Sequence, residues 1–343
     1  MASKPFPPHV AVCGAGAFGR NHLRVYRELE REGNAVRLSA IIESDAARAA
    51  ALHQEWAVPV YSSVDEALAA RCRDELRIEA VSACVPTSLH HAVAAPLLRA
   101  GIDVLLEKPI AAGTAEADDL IAIACRHSRI LQVGHLERFN PAVLAVQPLL
   151  NQPMFFEAHR LSVFTPRSLD VDVVLDLMIH DLDIVLSFVH SPVREIHAVG
   201  LPILSKKTDI ANVRLEFDSG CVANFTASRV STEQVRKLRF FQPHQYVSID
   251  YARKDVLVID VNAKVASAQS AALIPAGLGF KKPEVHQAEP LRLEIESFLE
   301  AVRTRETPQV SAEDGRAALA LALEINRTIA EHAQRAGLDK FSA

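Results

Sequence analysis

The chain has 343 residues, of which 49% are hydrophobic and 23% charged, a balance typical of a soluble globular protein with room for two domains. The net charge of −5 argues against a general nucleic-acid-binding surface but leaves room for a local basic pocket. The five cysteines are scattered without a CxxC pair, which argues against disulfides and a zinc site. Because residues 1–8 lack the apolar core of a signal peptide and no apolar run could cross a bilayer, we expect a cytoplasmic protein.

Short apolar strands alternate with helices in the first third of the chain. The strands are predicted at His9–Cys13, Arg37–Ile42, Val58–Tyr61, Ile78–Val85, Ile102–Leu106 and Ile130–Val133, and the helices at 20–31, 46–56, 64–72, 88–99 and 115–127. Strands joined by helices of this length indicate a parallel, doubly wound sheet. We therefore predict an α/β protein whose first domain, 1–134, is a dinucleotide-binding Rossmann domain.

The first strand runs directly into the sequence Gly14-Ala15-Gly16-Ala17-Phe18-Gly19 and then into a helix. In this GxGxxG motif Gly14 permits a tight turn, Gly16 lets the backbone approach a pyrophosphate, and Gly19 allows close helix–strand packing. Glu43 follows the second strand, where an acid can accept hydrogen bonds from both ribose hydroxyls and repel a 2′-phosphate. The pattern favours NAD over NADP, although Glu43 could also be an N-terminal acid of the next helix.

Two further strands end in polar or chain-breaking residues at the same predicted edge. The fourth is followed by Pro86-Thr87, and the fifth by Glu107-Lys108-Pro109. Open α/β sheets bind ligands at the carboxyl ends of their strands, so a lysine fixed there indicates a site. The alternative for Glu107 and Lys108 is a surface ion pair. The expected cofactor-binding residues are Gly14, Gly16, Ala17, Phe18, Gly19, Glu43, Cys84, Pro86, Thr87, His90, Glu107 and Lys108.

Residues 135–343 are predicted to form an α+β domain with a large, open, mostly antiparallel sheet. Asn140-Pro141 is a good helix start, as N-cap and first-turn proline. Strands are predicted at Phe155–Val163, Glu195–Leu201, Ile210–Phe217, Val222–Ser228, Val235–Phe241, Tyr246–Asp250 and Val256–Val261, and two final helices at Pro290–Thr304 and Ala312–Ala336. The segment Ala266–Lys282, which is rich in small residues, is expected to be a mobile excursion.

A polar stripe crosses the otherwise apolar stretch Val173–Val189, which is predicted to be a buried helix. Asp176, His180 and Asp183 stand at i, i+4 and i+7, on one helical face. An imidazole near carboxylates can be oriented and kept basic near neutral pH. The alternatives are a structural network in which Asp183 satisfies His180 and a metal site; without a further Cys/His cluster we expect no metal.

Taken together, GxGxxG, Glu-Lys-Pro and the Asp-x-x-x-His-x-x-Asp helix resemble the glucose–fructose oxidoreductase/inositol dehydrogenase (Gfo/Idh/MocA) family over nearly the whole chain. The resemblance implies a Rossmann domain, a second domain with a large mixed sheet, and substrate between the two. It places Lys108 and His180 at the reacting carbon, with Asp176 lining the pocket. The segments Val133–Pro141, Asp176–Asp183 and Phe240–Ala252 further resemble the UDP-N-acetylglucosamine 3-dehydrogenase branch, which serves lipid A and surface-polysaccharide synthesis.

That branch implies NAD-dependent oxidation of a sugar 3-hydroxyl, followed by an aminotransferase acting on the ketone. His180 would accept the hydroxyl proton and Lys108 would stabilise the oxyanion, or the roles would be reversed, with Asp176 and Asp183 orienting His180. The expected substrate-binding residues are Lys108, Arg138, Asn140, Arg160, Arg167, Asp176 and His180. A homo-oligomer, a dimer or tetramer built through the second sheet, is also expected. The alternatives are another nucleotide-sugar, sugar or inositol dehydrogenase, a non-catalytic NAD-sensing regulator, or a dimerisation module.

Overall fold

The computed structural model describes residues 7–33, 36–165, 171–261 and 278–338. The chain divides into two compact units. The first comprises the residues up to Leu136 together with Glu289–Leu319, and the second comprises Glu137–Ala288 and the residues from Ala320 onward. The prediction assigned Glu289–Leu319 to the second domain instead. Such a return of the chain to its first unit leaves no local pattern in the sequence.

The first unit contains a six-stranded parallel sheet. Its strands follow the order β3-β2-β1-β4-β5-β6, as expected for a doubly wound fold. The elements are β1 His9–Cys13, α1 Ala17–Arg31, β2 Arg37–Ile42, α2 Ala46–Trp56, β3 Val60–Tyr61, α3 Val64–Cys72, β4 Ala80–Ala83, α4 His90–Arg99, β5 Asp103–Glu107, α5 Thr114–Arg126 and β6 Leu131–Gly134. The predicted Rossmann fold is confirmed.

One helix of the first unit comes from much later in the chain. Counted in chain order it is α8, Pro290–Thr304, and the next and last helix is α9, Ala312–Ala336. Leu291, Ile295 and Phe298 of α8 join the hydrophobic core that also contains residues of α1 and β1. Their spacing of three to four residues places them on one face of the helix. The apolar face of α8 is therefore covered by the Rossmann core.

The second unit contains an eight-stranded mixed sheet in the order β14-β13-β12-β11-β7-β10-β9-β8. All neighbouring strands are antiparallel except β7 and β10, which are parallel. Its elements are α6 Pro141–Val146, β7 Phe155–Val163, α7 Ile179–Val189, β8 Val193–Leu201, β9 Ile210–Phe217, β10 Val222–Ser231, β11 Val235–Gln242, β12 Gln245–Asp250, β13 Asp255–Val261 and β14 Leu278–Lys281. The predicted mixed, mostly antiparallel sheet is confirmed.

The structure corrects one expectation in this sheet. The expected excursion Ala266–Lys282 ends in β14, which pairs with β13 through Phe280 opposite Ile259. Its residues 266–277 lie outside the described part of the chain. A four-residue strand flanked by glycine and lysine has too little apolar alternation to be predicted.

The core of the second unit includes an aromatic cluster where α7 packs on the sheet. The rings of Phe156 on β7, Phe188 on α7 and Phe240 on β11 lie 5.5 to 6.5 Å apart between centroids. Two of the pairs are tilted and one is edge-on, at centroid separations within the favourable range for aromatic pairs. The contacts fix α7 against β7 and β11. No helix in the described residues is long and apolar enough to cross a membrane.

Candidate active site

The glycine loop between β1 and α1 has the geometry that its sequence predicts. Gly14 has φ +84°, its amide donates to the Ile42 carbonyl at 2.8 Å, and a Cβ there would lie 2.8 Å from the Cys84 carbonyl oxygen. A Cβ on Gly19 would lie 1.9 Å from the Gly14 oxygen. At Gly16, which precedes the first residue of α1, the nearest atom to such a Cβ is 3.8 Å away. At Gly14 and Gly19 the loop is therefore packed tightly against neighbouring backbone, whereas Gly16, at the N-terminus of α1, has open space beside it. This arrangement fits a dinucleotide pyrophosphate.

Glu43 follows β2, and its side chain is 6% exposed. One carboxylate oxygen accepts from the Ala15 amide and the other from the Asp45 amide, each at 3.0 Å. The N-cap of α2 is Asp45, which accepts from the Arg48 amide at 2.8 Å. Glu43 therefore does not cap this helix and instead holds a fixed negative charge beside the glycine loop. Its contact with a ribose remains a prediction.

His90 connects the end of β4 with the turn that follows β5. Its ring is buried, with Nδ1 2.8 Å from the Pro109 carbonyl oxygen and Nε2 3.0 Å from the Val85 carbonyl oxygen. Burial lowers the pKa of His90, and the two carbonyls act against that shift. The nearby Pro86 and Thr87 begin a single 3-10 turn before α4. Cofactor contacts of these residues remain predictions, and the observed contacts of His90 are structural.

The Glu107-Lys108-Pro109 turn is fixed through its acid. Glu107 is the last residue of β5, and its Oε1 lies 3.2 Å from Nε2 of His22 on α1. On its other side, a Cβ at Gly134 would lie 2.8 Å from the same oxygen. Lys108 comes next, half-buried, and its bond to Pro109 is cis. The acid is thus held between α1 and β6, directly before the lysine.

Sequence reasoning missed His22, and a signal for it was present. His22 stands at i−4 from Tyr26 and i−7 from Leu29, on the buried face of α1. A histidine on such a face needs a partner, and the partner here is Glu107.

His22 also belongs to a group of three possible metal ligands. The potential ligand atoms of His22, Cys84 and Glu107 lie within 4.8 Å of one another, close enough to share a metal ion. Burial, and next the charge of Glu107, raise the pKa of the Cys84 thiol well above its usual value, so it stays a protonated and weak ligand.

The polar stripe predicted near residue 180 lies at a change of helix type. Val174–Met178 forms a π-helical turn, and α7 begins at Ile179. Asp176 belongs to the wide turn, while His180 is the second residue of α7; both are half-buried. A helix does span the predicted stretch Val173–Val189, but its start is π-helical, so Asp176 and His180 are not separated by one regular α-helical turn. Single π turns inside helices are frequent at functional sites.

A buried charge cluster attaches α7 to β7. Nε and Nη2 of Arg160 donate to the two oxygens of Asp181 at 2.7 and 3.0 Å, and Nη1 donates to Glu137 at 3.0 Å. The guanidinium also lies 5.1 Å from the ring centroid of Tyr251. Burial alone would lower the pKa of Arg160, but the carboxylates outweigh it and the net shift is upward. The partners Asp181, Glu137 and Tyr251 were missed because they come from three separate segments.

The remaining predicted substrate residues lie around the start of the second unit. Nη1 of Arg138 lies 3.5 Å from Oδ1 of Asp183 on α7. Asn140 caps α6 by accepting from the Ala142 amide at 3.1 Å, and its Nδ2 donates to the Tyr251 carbonyl at 3.1 Å. Arg167 lies outside the described residues. Substrate contacts of all these residues remain predictions.

The first unit has the fold and the loop of a dinucleotide-dependent oxidoreductase. A family model described as an oxidoreductase family with an NAD-binding Rossmann fold matches residues 9–135, and a GFO/IDH/MocA C-terminal domain matches residues 150–242. The chain belongs to the Gfo/Idh/MocA family of NAD-binding oxidoreductases. The predicted family, enzyme class and cofactor are thereby confirmed.

Relatives match over nearly the whole length of the chain. UDP-N-acetylglucosamine 3-dehydrogenase of Acidithiobacillus ferrooxidans is 34% identical over 327 residues, covering 94% of this chain and 98% of the relative. A solved structure of UDP-N-acetylglucosamine 3-dehydrogenase GnnA from that organism has a TM-score of 0.83 at 32% identity, covering 94% of this chain and 97% of the other. An inositol 2-dehydrogenase of Rhizobium meliloti is 26% identical over 343 residues, covering 94% and 96%.

Proposed function

We propose that the protein oxidises the 3-hydroxyl of UDP-N-acetylglucosamine to a ketone, with transfer of a hydride to NAD. The observation that carries this proposal is the full-length similarity to a UDP-N-acetylglucosamine 3-dehydrogenase, at 34% identity over 94% of the chain. The motifs around Lys108 and His180 support the same assignment. NAD, when bound, supplies the hydride acceptor.

His180 and Lys108 are assigned the acid–base work. His180 accepts the hydroxyl proton, and Asp176 and Asp183 orient its ring. The Lys108 ammonium stabilises the negative charge that develops on the sugar oxygen. Glu107, held by His22, fixes the chain directly before this lysine. An exchange of roles between Lys108 and His180 uses the same residues.

Arginines are assigned to the substrate diphosphate. Arg138 is the first choice, because it belongs to the Arg-Phe-Asn-Pro sequence within the segment that resembles the UDP-sugar dehydrogenases. Arg160 already donates to Asp181 and Glu137 through three nitrogens, so its contribution is to hold α7 in place. Arg167 and Asn140 complete the proposed set.

The ketone product would be consumed by an aminotransferase, as in synthesis of a 3-amino sugar for lipid A, and both steps would take place in the cytoplasm.

A homo-oligomer built through the sheet of the second unit is also proposed. The support is a set of apolar side chains on this sheet that are more than one third exposed, namely Val199, Leu201, Phe241 and Phe280. Their burial against a second copy would remove this apolar surface from water.

The test is NAD reduction with UDP-N-acetylglucosamine by the wild type, Lys108→Ala and His180→Asn. Each variant should lose turnover by about 10²- to 10⁴-fold while it still binds NADH. Lys206→Ala and His286→Asn, at exposed positions of the second unit, are the matched controls. Near-wild-type turnover in both active-site variants would refute the assignment.

The second candidate is oxidation of an inositol or a free sugar, which the similarity to the Rhizobium meliloti inositol 2-dehydrogenase supports. A substrate panel separates the two. We expect UDP-N-acetylglucosamine to exceed myo-inositol and glucose in kcat/KM. Faster turnover of myo-inositol would replace the first candidate by the second.

A further inference from the structure

Glu294 is an acid on the apolar face of α8. It stands between Leu291, Ile295 and Phe298, which pack into the core of the first unit. Its side chain has no exposed surface, and neither carboxyl oxygen has a hydrogen-bond partner in the described part of the chain. An ionised carboxylate is strongly unfavourable in such surroundings, so the neutral acid is favoured.

The acid whose charge acts on Glu294 is Glu107. Burial first, and the charge of Glu107 second, raise the pKa of Glu294 well above its usual value. Glu107 is better placed to carry a charge, because its side chain is 15% exposed and contacts His22. The two acids therefore differ in their surroundings, because Glu107 has a partner and partial exposure whereas Glu294 has neither among the described residues.

We propose that Glu294 stays a neutral carboxylic acid in the folded enzyme and so leaves Glu107, directly before Lys108, as the one negative charge of the two acids. Glu294 then acts as a positioning residue: one net negative charge, paired with His22, holds the Glu107-Lys108-Pro109 turn. Ionisation of Glu294 would add a second negative charge that acts on Glu107 and so on the turn that Glu107 holds. This inference rests on the proposed function for its effect on turnover but not for its effect on stability.

Other titratable groups face the two carboxyls from each element packed around them. They are His22 and Tyr26 on α1, Cys84 after β4, His90 on α4 and Lys108 after β5. Burial raises the pKa of the Tyr26 phenol and outweighs the lowering effect of its hydrogen bond with Ser82 Oγ at 2.8 Å. Burial, followed by the charge of Glu107, raises the pKa of the Cys84 thiol, so both groups stay protonated. His22 is the group whose described contact is with Glu107 itself.

The first experiment measures thermal unfolding against pH for the wild type, Glu294→Gln and Glu294→Met. An acid whose pKa is raised on folding stabilises the fold fully below its unfolded pKa, and this stabilisation is lost as pH rises toward the folded pKa. Both variants lack the ionisable carboxyl group, so their stability does not fall with pH for this reason. Their Tm relative to wild type should therefore rise by about 5 °C or more between pH 5.5 and pH 9.

Glu300→Gln is the matched control, since Glu300 lies on the same helix, is exposed and pairs with Arg303 at 3.1 Å. Its Tm difference should not change with pH. Glu294→Met fits the apolar surroundings of α8 and keeps the test informative if Glu294→Gln folds poorly. A Tm difference that stays flat with pH in both variants would show that Glu294 is ionised in the folded protein and would overturn the proposal.

The second experiment compares kcat against pH. Wild-type turnover should fall reversibly at alkaline pH as Glu294 ionises, whereas Glu294→Gln should retain at least about threefold more of its neutral-pH rate there. If the pH profiles of kcat for the wild type and Glu294→Gln superimpose, Glu294 has only a structural role and its proposed positioning role is refuted. If the wild type does not turn over the UDP-sugar at all, the proposed function fails while the unfolding experiment still decides the state of Glu294. Metal analysis of the purified protein adds a further check. If the wild type holds one equivalent of tightly bound transition metal and His22→Asn does not, the proposal is overturned, because the metal would then compensate the charges of the carboxyl groups.

Discussion

Glu107 Oε1 lies 3.2 Å from His22 Nε2, so the acid that precedes Lys108 is attached to the helix that follows the nucleotide-binding loop. The two residues are 85 positions apart in the sequence. The contact connects the end of β5 with α1 within the first unit. The position of the lysine turn therefore depends on a residue of α1.

His22→Leu should destabilise the protein and reduce turnover. Removal of the imidazole leaves Glu107 half-buried without its described partner, which costs about 1–3 kcal/mol. The measurements are thermal unfolding and NAD reduction. His91→Leu is the control, since His91 forms a more exposed pair with Asp119 at 2.7 Å. Equal stability of His22→Leu and the control would contradict the proposed importance of the His22–Glu107 contact.

Glu43→Ser should weaken NAD binding and reduce discrimination against NADP. The carboxylate is fixed by the Ala15 and Asp45 amides, and its charge opposes a 2′-phosphate. We expect NADH affinity to fall about tenfold, which corresponds to roughly 1.4 kcal/mol, and NADPH affinity to rise.

Fluorescence titration with NADH and NADPH measures both affinities. The exposed Glu55 provides a control variant, Glu55→Ser, which should leave the ratio unchanged. An unchanged NADH to NADPH ratio in Glu43→Ser would show that Glu43 does not select the cofactor.

Local patterns in the sequence predicted most of the first unit. Gly14, Gly16 and Gly19 could be interpreted because their conformational and steric demands come from adjacent backbone. The polar tip Glu107-Lys108 stood out because it interrupts an apolar strand. The prediction of NAD rather than NADP was based on the position of Glu43 after β2.

The contacts that hold these residues could not be predicted in the same way. Glu294 reaches the first unit only because α8 returns to it, and the sequence gives no distance between residues 107 and 294. Asp181 carries the ion pair with Arg160, whereas the helical pattern directed attention to Asp176 and Asp183. The π turn before α7 also has no pattern of its own, since an apolar run is compatible with either helix type.

Arg160→Met should strongly destabilise the second unit. The variant would leave the buried Asp181 and the half-buried Glu137 without the guanidinium that they share. Breaking a buried pair in this way costs about 3–5 kcal/mol, or a Tm decrease on the order of 10 °C.

Arg194→Met is the matched control, because Arg194 is exposed and lies 3.9 Å from Glu216. It should change stability by less than about 0.5 kcal/mol. Adding Asp181→Leu to Arg160→Met should restore part of the loss by removing the uncompensated charge. A loss no larger than that of the control would show that the cluster contributes little to stability.

Asp209→Asn should reduce stability at neutral pH but not in acid. Oδ2 of Asp209 accepts from the amides of Ile203, Leu204 and Ser205 at 2.6 to 2.8 Å, and Oδ1 accepts from the Ser205 hydroxyl at 2.7 Å. Burial by itself raises the pKa of Asp209, but these hydrogen bonds outweigh it and hold the pKa below its usual value. The carboxylate therefore contributes stability above its unfolded pKa of about 3.9, and this contribution is lost as pH falls through the folded pKa.

Thermal unfolding of the wild type and Asp209→Asn should differ by about 2 kcal/mol at pH 7. The difference should shrink progressively below about pH 4, because the wild-type carboxyl then becomes protonated and also loses its charge-assisted hydrogen bonds. Asp218→Asn, at an exposed acid beyond the end of β9, should show no such pH dependence. A difference between wild type and Asp209→Asn that stays constant from pH 7 to pH 3 would mean that the side-chain shape of Asp209, rather than its charge, holds the turn before β9.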